Sequence, residues 1–137
     1  MPLVLCNNGD VVALSYLVNK VTTPENLVYR LFTNSVTPAE TDTAGTYTEA
    51  AGGGYANKTM TGASWTVTGG SPSEAAYAQQ TWTFTGALTG NATVRGYYVT
   101  RATTADLLLA ETFTAFTPAN NGDQILLTPK ITADRTP

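Results

Sequence analysis

The stretch Ala75 to Thr85 constrains the fold of this chain more than any other. Ala76, Ala78, Gln80, Trp82 and Phe84 fall on one side of it, and Tyr77, Gln79, Thr81, Thr83 and Thr85 on the other. A period of two is what a β-strand presents at the boundary of a core, because successive side chains point to opposite faces. The segment predicts a strand with Trp82 and Phe84 in the core and a ladder of threonines facing solvent or a contact.

Other segments carry the same signature. Leu27 to Thr33 sets Leu27, Tyr29 and Leu31 against Val28, Arg30 and Phe32, and Ser64 to Thr68 places Trp65 and Val67 on one face. Val94 to Arg101, Leu107 to Phe113 and Gln124 to Thr132 read as further strands, with Pro129 marking an edge or a bulge because proline donates no ladder hydrogen bond. Turns at Gly69-Gly70-Ser71-Pro72, Thr103-Thr104-Ala105 and Pro118 to Asp123 separate them. Near the start the period changes: Val11, Leu14, Val18 and Val21 recur at helical spacing behind Asn8 or Asp10 as a cap, and Pro24 ends whatever precedes it. Residues 34–62 shift to Thr, Ala, Gly and Pro around Gly52-Gly53-Gly54. They predict a long flexible loop with at most one short strand near Tyr47 to Ala50. Together these segments predict one mainly β domain over residues 1–137, an antiparallel β-sandwich with one short N-terminal helix, of which a jelly roll is one form.

The surface of such a fold is unusual here. Charged residues make up 12% of the 137, about half the usual share, so threonine has to supply much of the polar exterior. A net charge of -3 with scattered Lys and Arg offers no track for a phosphate backbone, and nucleic acid is not an expected partner. Asn7, Asn8, Gly9 and Asp10 interrupt the apolar residues near the N-terminus, where no basic leader stands, so neither a signal peptide nor a membrane span is expected. Cys6 is the only cysteine and reads as a small buried hydrophobe beside Leu3, Val4 and Leu5.

Catalysis is short of reagents. With no histidine the chain lacks the commonest general base and the commonest transition-metal ligand. Glu40 and Asp42 lie in a Thr/Ala stretch and read as solvated loop acids, not as a glycosidase pair. Glu111 alternates with Leu107, Leu109 and Phe113 on an apolar face, so it needs a partner, and Arg30, Arg95 or Arg101 would make a structural ion pair. Asn120-Asn121-Gly122-Asp123 reads as a hairpin turn, being too poor in acids for a calcium loop, and the triple glycine lacks the Lys-Ser/Thr of a phosphate loop. No enzyme, catalytic residue, metal ligand or cofactor is therefore predicted. The candidate contact residues are Thr41, Thr43, Tyr47 and Tyr55 in the 34–62 loop, which a partner would order, and Thr81, Thr83 and Thr85 on the threonine face.

The runs Leu3 to Val12, Leu27 to Thr43, Tyr47 to Trp65, Gln80 to Leu88, Val94 to Thr100, Leu107 to Phe113 and Asn120 to Thr132 resemble small proteins encoded in the structural modules of tailed phages, cyanophages among them. The resemblance implies a virion component made in the host cytoplasm. A short single-domain chain without fibre repeats or heptads favours a capsid cement or decoration protein on the capsid surface. Its expected partners are the major capsid protein and other copies of itself, as a trimer or as bridging monomers, with no membrane involved. The alternative is a tail-fibre or baseplate component that binds a host glycan or another tail protein.

Overall fold

The computed structural model describes residues 3–18, 25–70 and 72–133; Val21, Pro24 and Ser71 lie outside them. The fold is mainly β and sandwich-like, with antiparallel sheets and one α-helix among the described residues. The strands are β1 (Val4–Leu5), β2 (Leu27–Phe32), β3 (Lys58–Met60), β4 (Thr66–Thr68), β5 (Ser73–Ala76), β6 (Gln80–Thr83), β7 (Val94–Arg101), β8 (Leu107–Phe116), β9 (Gln124–Leu127) and β10 (Lys130–Ala133), and the helix α1 is Asn7–Leu17. They form a five-stranded sheet in the order β1-β8-β7-β2-β3, a three-stranded sheet β10-β5-β4 and a two-stranded ribbon β6-β9.

The five-stranded sheet is apolar on both faces. Tyr29, Leu31, Tyr97, Val99 and Leu109 enter a core shared with Trp82, Phe84 and Ile125 of the β6-β9 ribbon. Phe32, Tyr98, Leu107 and Ala110 enter a second cluster on Cys6 and Tyr47. Such a sheet needs two covers. The second comes from the stretch expected to be a flexible loop: Tyr47 stacks on Tyr98 at 5.1 Å and tilts against Phe32 at 4.9 Å. Asn34 ties this stretch down by accepting from the Thr48 N–H and donating to the Thr46 carbonyl. Its short strand is Lys58–Met60, and Glu49 makes only an isolated bridge to Phe32. The triple glycine is also fixed. Gly52, Gly53 and Gly54 all take positive φ, and a Cβ on Gly53 would stand 2.6 Å from the Gly86 carbonyl oxygen, so the run serves close approach of two backbones.

Period-two reasoning holds for Trp82 and Phe84, both buried, and fails below them. The expected strand Ala75 to Thr85 is interrupted. Ala76 pairs with Lys130 and Gln80 with Leu127, so three residues on one strand oppose two on the other, Thr128 and Pro129. That extra residue reverses the phase. Tyr77 packs towards the core and Ala78 is exposed, opposite to the alternation. Pro129 sits at the break, buried, and its carbonyl accepts from the Tyr77 N–H. A second irregularity, where Val99 pairs with Leu109 but Thr100 with Leu107, moves Leu107 to the second cluster and away from Leu109. Trp65 and Val67 also part: Trp65 closes the 3-10 turn Gly62–Ser64 and packs on Tyr77, while Val67 in β4 is 77% exposed.

Helix α1 starts earlier than its apolar spacing predicts and turns the other way. Its N-cap is Cys6, with no side-chain cap bond from Asn8 or Asp10. The Cys6 N–H donates to the Leu108 carbonyl and the Asn7 N–H to that of Glu40. Gly9 is the buried contact, since a Cβ there would meet the Leu108 carbonyl oxygen at 2.5 Å. That contact turns Gly9 and Val12 inward and leaves Val11, Leu14, Leu17 and Val18 exposed at 61, 59, 80 and 68%. No helix among the described residues is long and apolar enough to cross a membrane.

Candidate functional site

Among the described residues two concave surfaces stand out. The larger is an apolar cleft of about 570 Å³ between α1, the main sheet and the small sheet, lined by Val12, Leu27, Trp65, Leu108, Leu109 and Ile131 among others. From α1 it takes Gly9, Val12, Ala13 and Tyr16, and from the small sheet Ala75 and Ile131. An ion pair stands in its wall: Arg101 Nε lies 2.5 Å from Glu25 Oε2, and Arg101 is also 3.7 Å from Asp106. Burial would raise the Glu25 pKa, but hydrogen bonds from Thr103 and Arg101 outweigh it and hold the carboxyl below its ordinary value. Of the lining residues only Arg101 and Glu25 are charged and they pair with each other, so the rest of the cleft presents mostly hydrocarbon.

The smaller surface is polar, about 250 Å³, and lined by Gly54, Tyr55, Ala56, Lys58, Thr81, Trp82 and Thr83. It gathers three of the seven contact candidates, Tyr55, Thr81 and Thr83, with Thr85 beside it against Gly54. Thr41 and Thr43 are exposed but do not line it. Tyr47 is no contact residue: it is 5% exposed, and its hydroxyl donates to Asp42 Oδ2 at 2.7 Å. Tyr55 is half-buried, its hydroxyl donating to Glu49 and accepting from the Leu31 N–H, so only its ring reaches the cleft.

Other acids among the described residues hold structural hydrogen bonds. Glu111 was expected to pair with an arginine, but it accepts from the Tyr97 hydroxyl at 2.6 Å, because Tyr97 is its direct cross-strand neighbour. Of the three candidates Arg30 is taken by Glu49 at 2.8 Å and Arg101 by Glu25, while Arg95 is exposed and pairs with no acid among the described residues. Burial, then the bond to Glu111, pushes the Tyr97 phenol above its usual range. Asp42 accepts from the Ala39 N–H, and Asp123 from the Ala119 and Asn120 N–H groups, closing turns. Among the described residues no three His, Cys, Asp or Glu side chains gather as a metal site would require. Cys6 is buried, and desolvation first, with Asp42 and Asp10 nearby, pushes its thiol up to about 11.

Sequence reasoning missed Lys58, which walls the polar cleft, and the outward direction of the Val11, Leu14 and Val18 stripe of α1. The only signal for Lys58 was a lone cation in a charge-poor segment. For α1, the inward side rests on Gly9 and Val12, too few apolar residues to show as a stripe. Against known proteins the chain finds no counterpart: no family model, curated protein or solved structure matches it.

Proposed function

We propose that this chain is a non-enzymatic virion protein of a tailed phage, a capsid cement or decoration protein that binds the assembled shell and bridges neighbouring capsid subunits. The observation that carries the contact role is the outward face of α1. Val11, Leu14, Leu17 and Val18 stand together in water on a helix that overhangs an apolar cleft. Contiguous exposed apolar surface of this kind marks a protein–protein contact. The phage setting rests on the resemblance of the segments from Leu3 to Thr132.

A cement role follows the linkage of binding to assembly. A ligand that binds only the closed lattice lowers the free energy of that lattice relative to free subunits. Low surface charge limits the desolvation cost of the contact. Particles lacking the chain are expected to assemble but to break at lower temperature or under milder osmotic shock, and purified protein added back should restore them. Depleted particles as resistant as complete ones would defeat the cement reading. Antibody label at the tail tip, in place of label across the head, would move the assignment to the tail.

A further inference from the structure

The geometry points to the polar cleft as a receptor for a carboxylate carried by an acidic side chain of a partner protein. The cleft is the open end of two backbone segments zipped together by hydrogen bonds. The Thr85 N–H donates to the Gly53 carbonyl at 2.9 Å, the Thr89 N–H to that of Ala51 at 2.8 Å, and Gly52 bridges Leu88. Beyond the left-handed glycines the two chains separate. Residues 54–58 and 81–83 then face each other across a gap spanned by one hydrogen bond, from Trp82 Nε1 to the Ala56 carbonyl at 3.0 Å.

Lys58 gives the gap its chemistry. Arg30, Arg101 and Lys130 each hold an acid, but half-buried Lys58 has no carboxylate partner among the described residues. Its ammonium stands 5.7 Å from the centre of the Trp82 ring. A partly desolvated ammonium without a counter-ion favours a ligand that brings one. Thr81 and Thr83 add hydroxyls, and because Thr83 Oγ1 already accepts from Gln124 Nε2 at 3.1 Å, its proton is left to donate. A carboxylate, which only accepts, matches one ammonium and two hydroxyl donors. A saccharide would want an open aromatic face, but Trp82 is 3% exposed and capped by Lys58. A phosphate dianion brings two charges, and the cleft's lining offers one cation, Lys58, to meet them.

This inference rests on the proposed contact role only in assigning the carboxylate to a protein. The test is titration of the ¹⁵N-labelled full chain with N-acetyl-glutamate N-methylamide, beside the glutamine analogue, glucose and inorganic phosphate as separate probes. The glutamate probe should shift the amides of Gly54, Ala56, Lys58, Thr81 and Thr83 saturably. Lys58→Gln should weaken it about tenfold and Lys58→Arg should retain it. Thr81→Val, which keeps Lys58 in place, should weaken it too, and carries the test if Lys58→Gln fails to fold. Equal response to the glutamine analogue, tighter response to glucose or phosphate, an unaltered response in a folded Lys58→Gln, or no saturable response at all would overturn the assignment. A silent cleft would leave the helix-borne contact standing, whereas particles indifferent to the chain would leave the cleft standing.

Discussion

The strands β2, β7 and β8 and the rim made by α1 with the small sheet are both rich in aliphatic residues, and they use them in opposite ways. In the centre, successive residues Tyr97, Tyr98 and Val99 are all buried, because each face of the sheet has its own cover. At the rim, Val11, Leu14, Leu17, Val18 and Val67 stay in water. The centre satisfies itself and sets stability, whereas the rim holds apolar area that only another molecule can remove from solvent. Substitutions should therefore separate cleanly: central ones should change folding, and rim ones association.

The largest effect belongs to the core shared by sheet and ribbon. Trp82→Ala removes a buried indole and its hydrogen bond to the Ala56 carbonyl, and should cost about 3–5 kcal/mol in chemical denaturation. A loss under about 1 kcal/mol would mean the ribbon is not a true cover of the sheet.

Next comes the polar contact inside that core. Tyr97→Phe leaves ring stacking on Tyr29 in place but removes the hydroxyl that donates to Glu111, and should cost about 1–3 kcal/mol at neutral pH. Glu111→Gln in the Tyr97→Phe background should recover part of that loss, since a neutral amide is cheaper to leave half-buried than a carboxylate. No recovery would mean the carboxylate is solvated.

Smaller again is the rim's own ion pair, worth under about 1 kcal/mol if it behaves as a partly exposed pair. The Glu25 carboxyl is held below its ordinary 4.5, so its contribution is complete above that value and is lost as pH falls through the lowered folded-state pKa. The parent should therefore lose stability more steeply than Glu25→Gln on acidification below about pH 4.5, and the two curves should run parallel above it. Parallel curves throughout would remove Glu25 from the account of the rim.

How much of this was legible in the sequence follows from how local each cause is. Trp82 and Phe84 were readable because the alternation around them is unbroken to Thr85. Tyr77 was not, because the extra residue that reverses its phase is decided across the ribbon, where Pro129 has no N–H to give. Segment 34–62 looked loose because its Thr, Ala and Gly say nothing of Tyr47, whose cover duty depends on Phe32 and Tyr98 from distant strands. The triple glycine looked flexible for the reason it is fixed: glycine is the one residue that admits both freedom and the close approach to Gly86. The polar cleft joins residues on either side of two intervening strands, and no spacing encodes it.

The smallest effect on stability is also the sharpest test of the comparison. Helix α1 carries two apolar stripes, Val11, Leu14 and Val18 on one side and Val12 with Gly9 on the other, and composition alone cannot choose between them. The choice is made by Gly9 against the Leu108 carbonyl, which no other residue could approach without a clash. Leu14→Gln with Leu17→Gln changes side chains that are mostly in water already, and glutamine keeps the helix propensity of leucine to within a few tenths of a kcal/mol. The double variant should match the parent within about 0.5 kcal/mol in denaturation and yet fail to restore depleted particles. Val12→Gln, on the same helix and facing the cleft, should do the reverse and lower stability, because it puts an amide against hydrocarbon without a partner. If the outward double variant unfolds the chain, or Val12→Gln leaves it untouched, then α1 lies with its other stripe inward, and the apolar surface offered to a partner is not the one described.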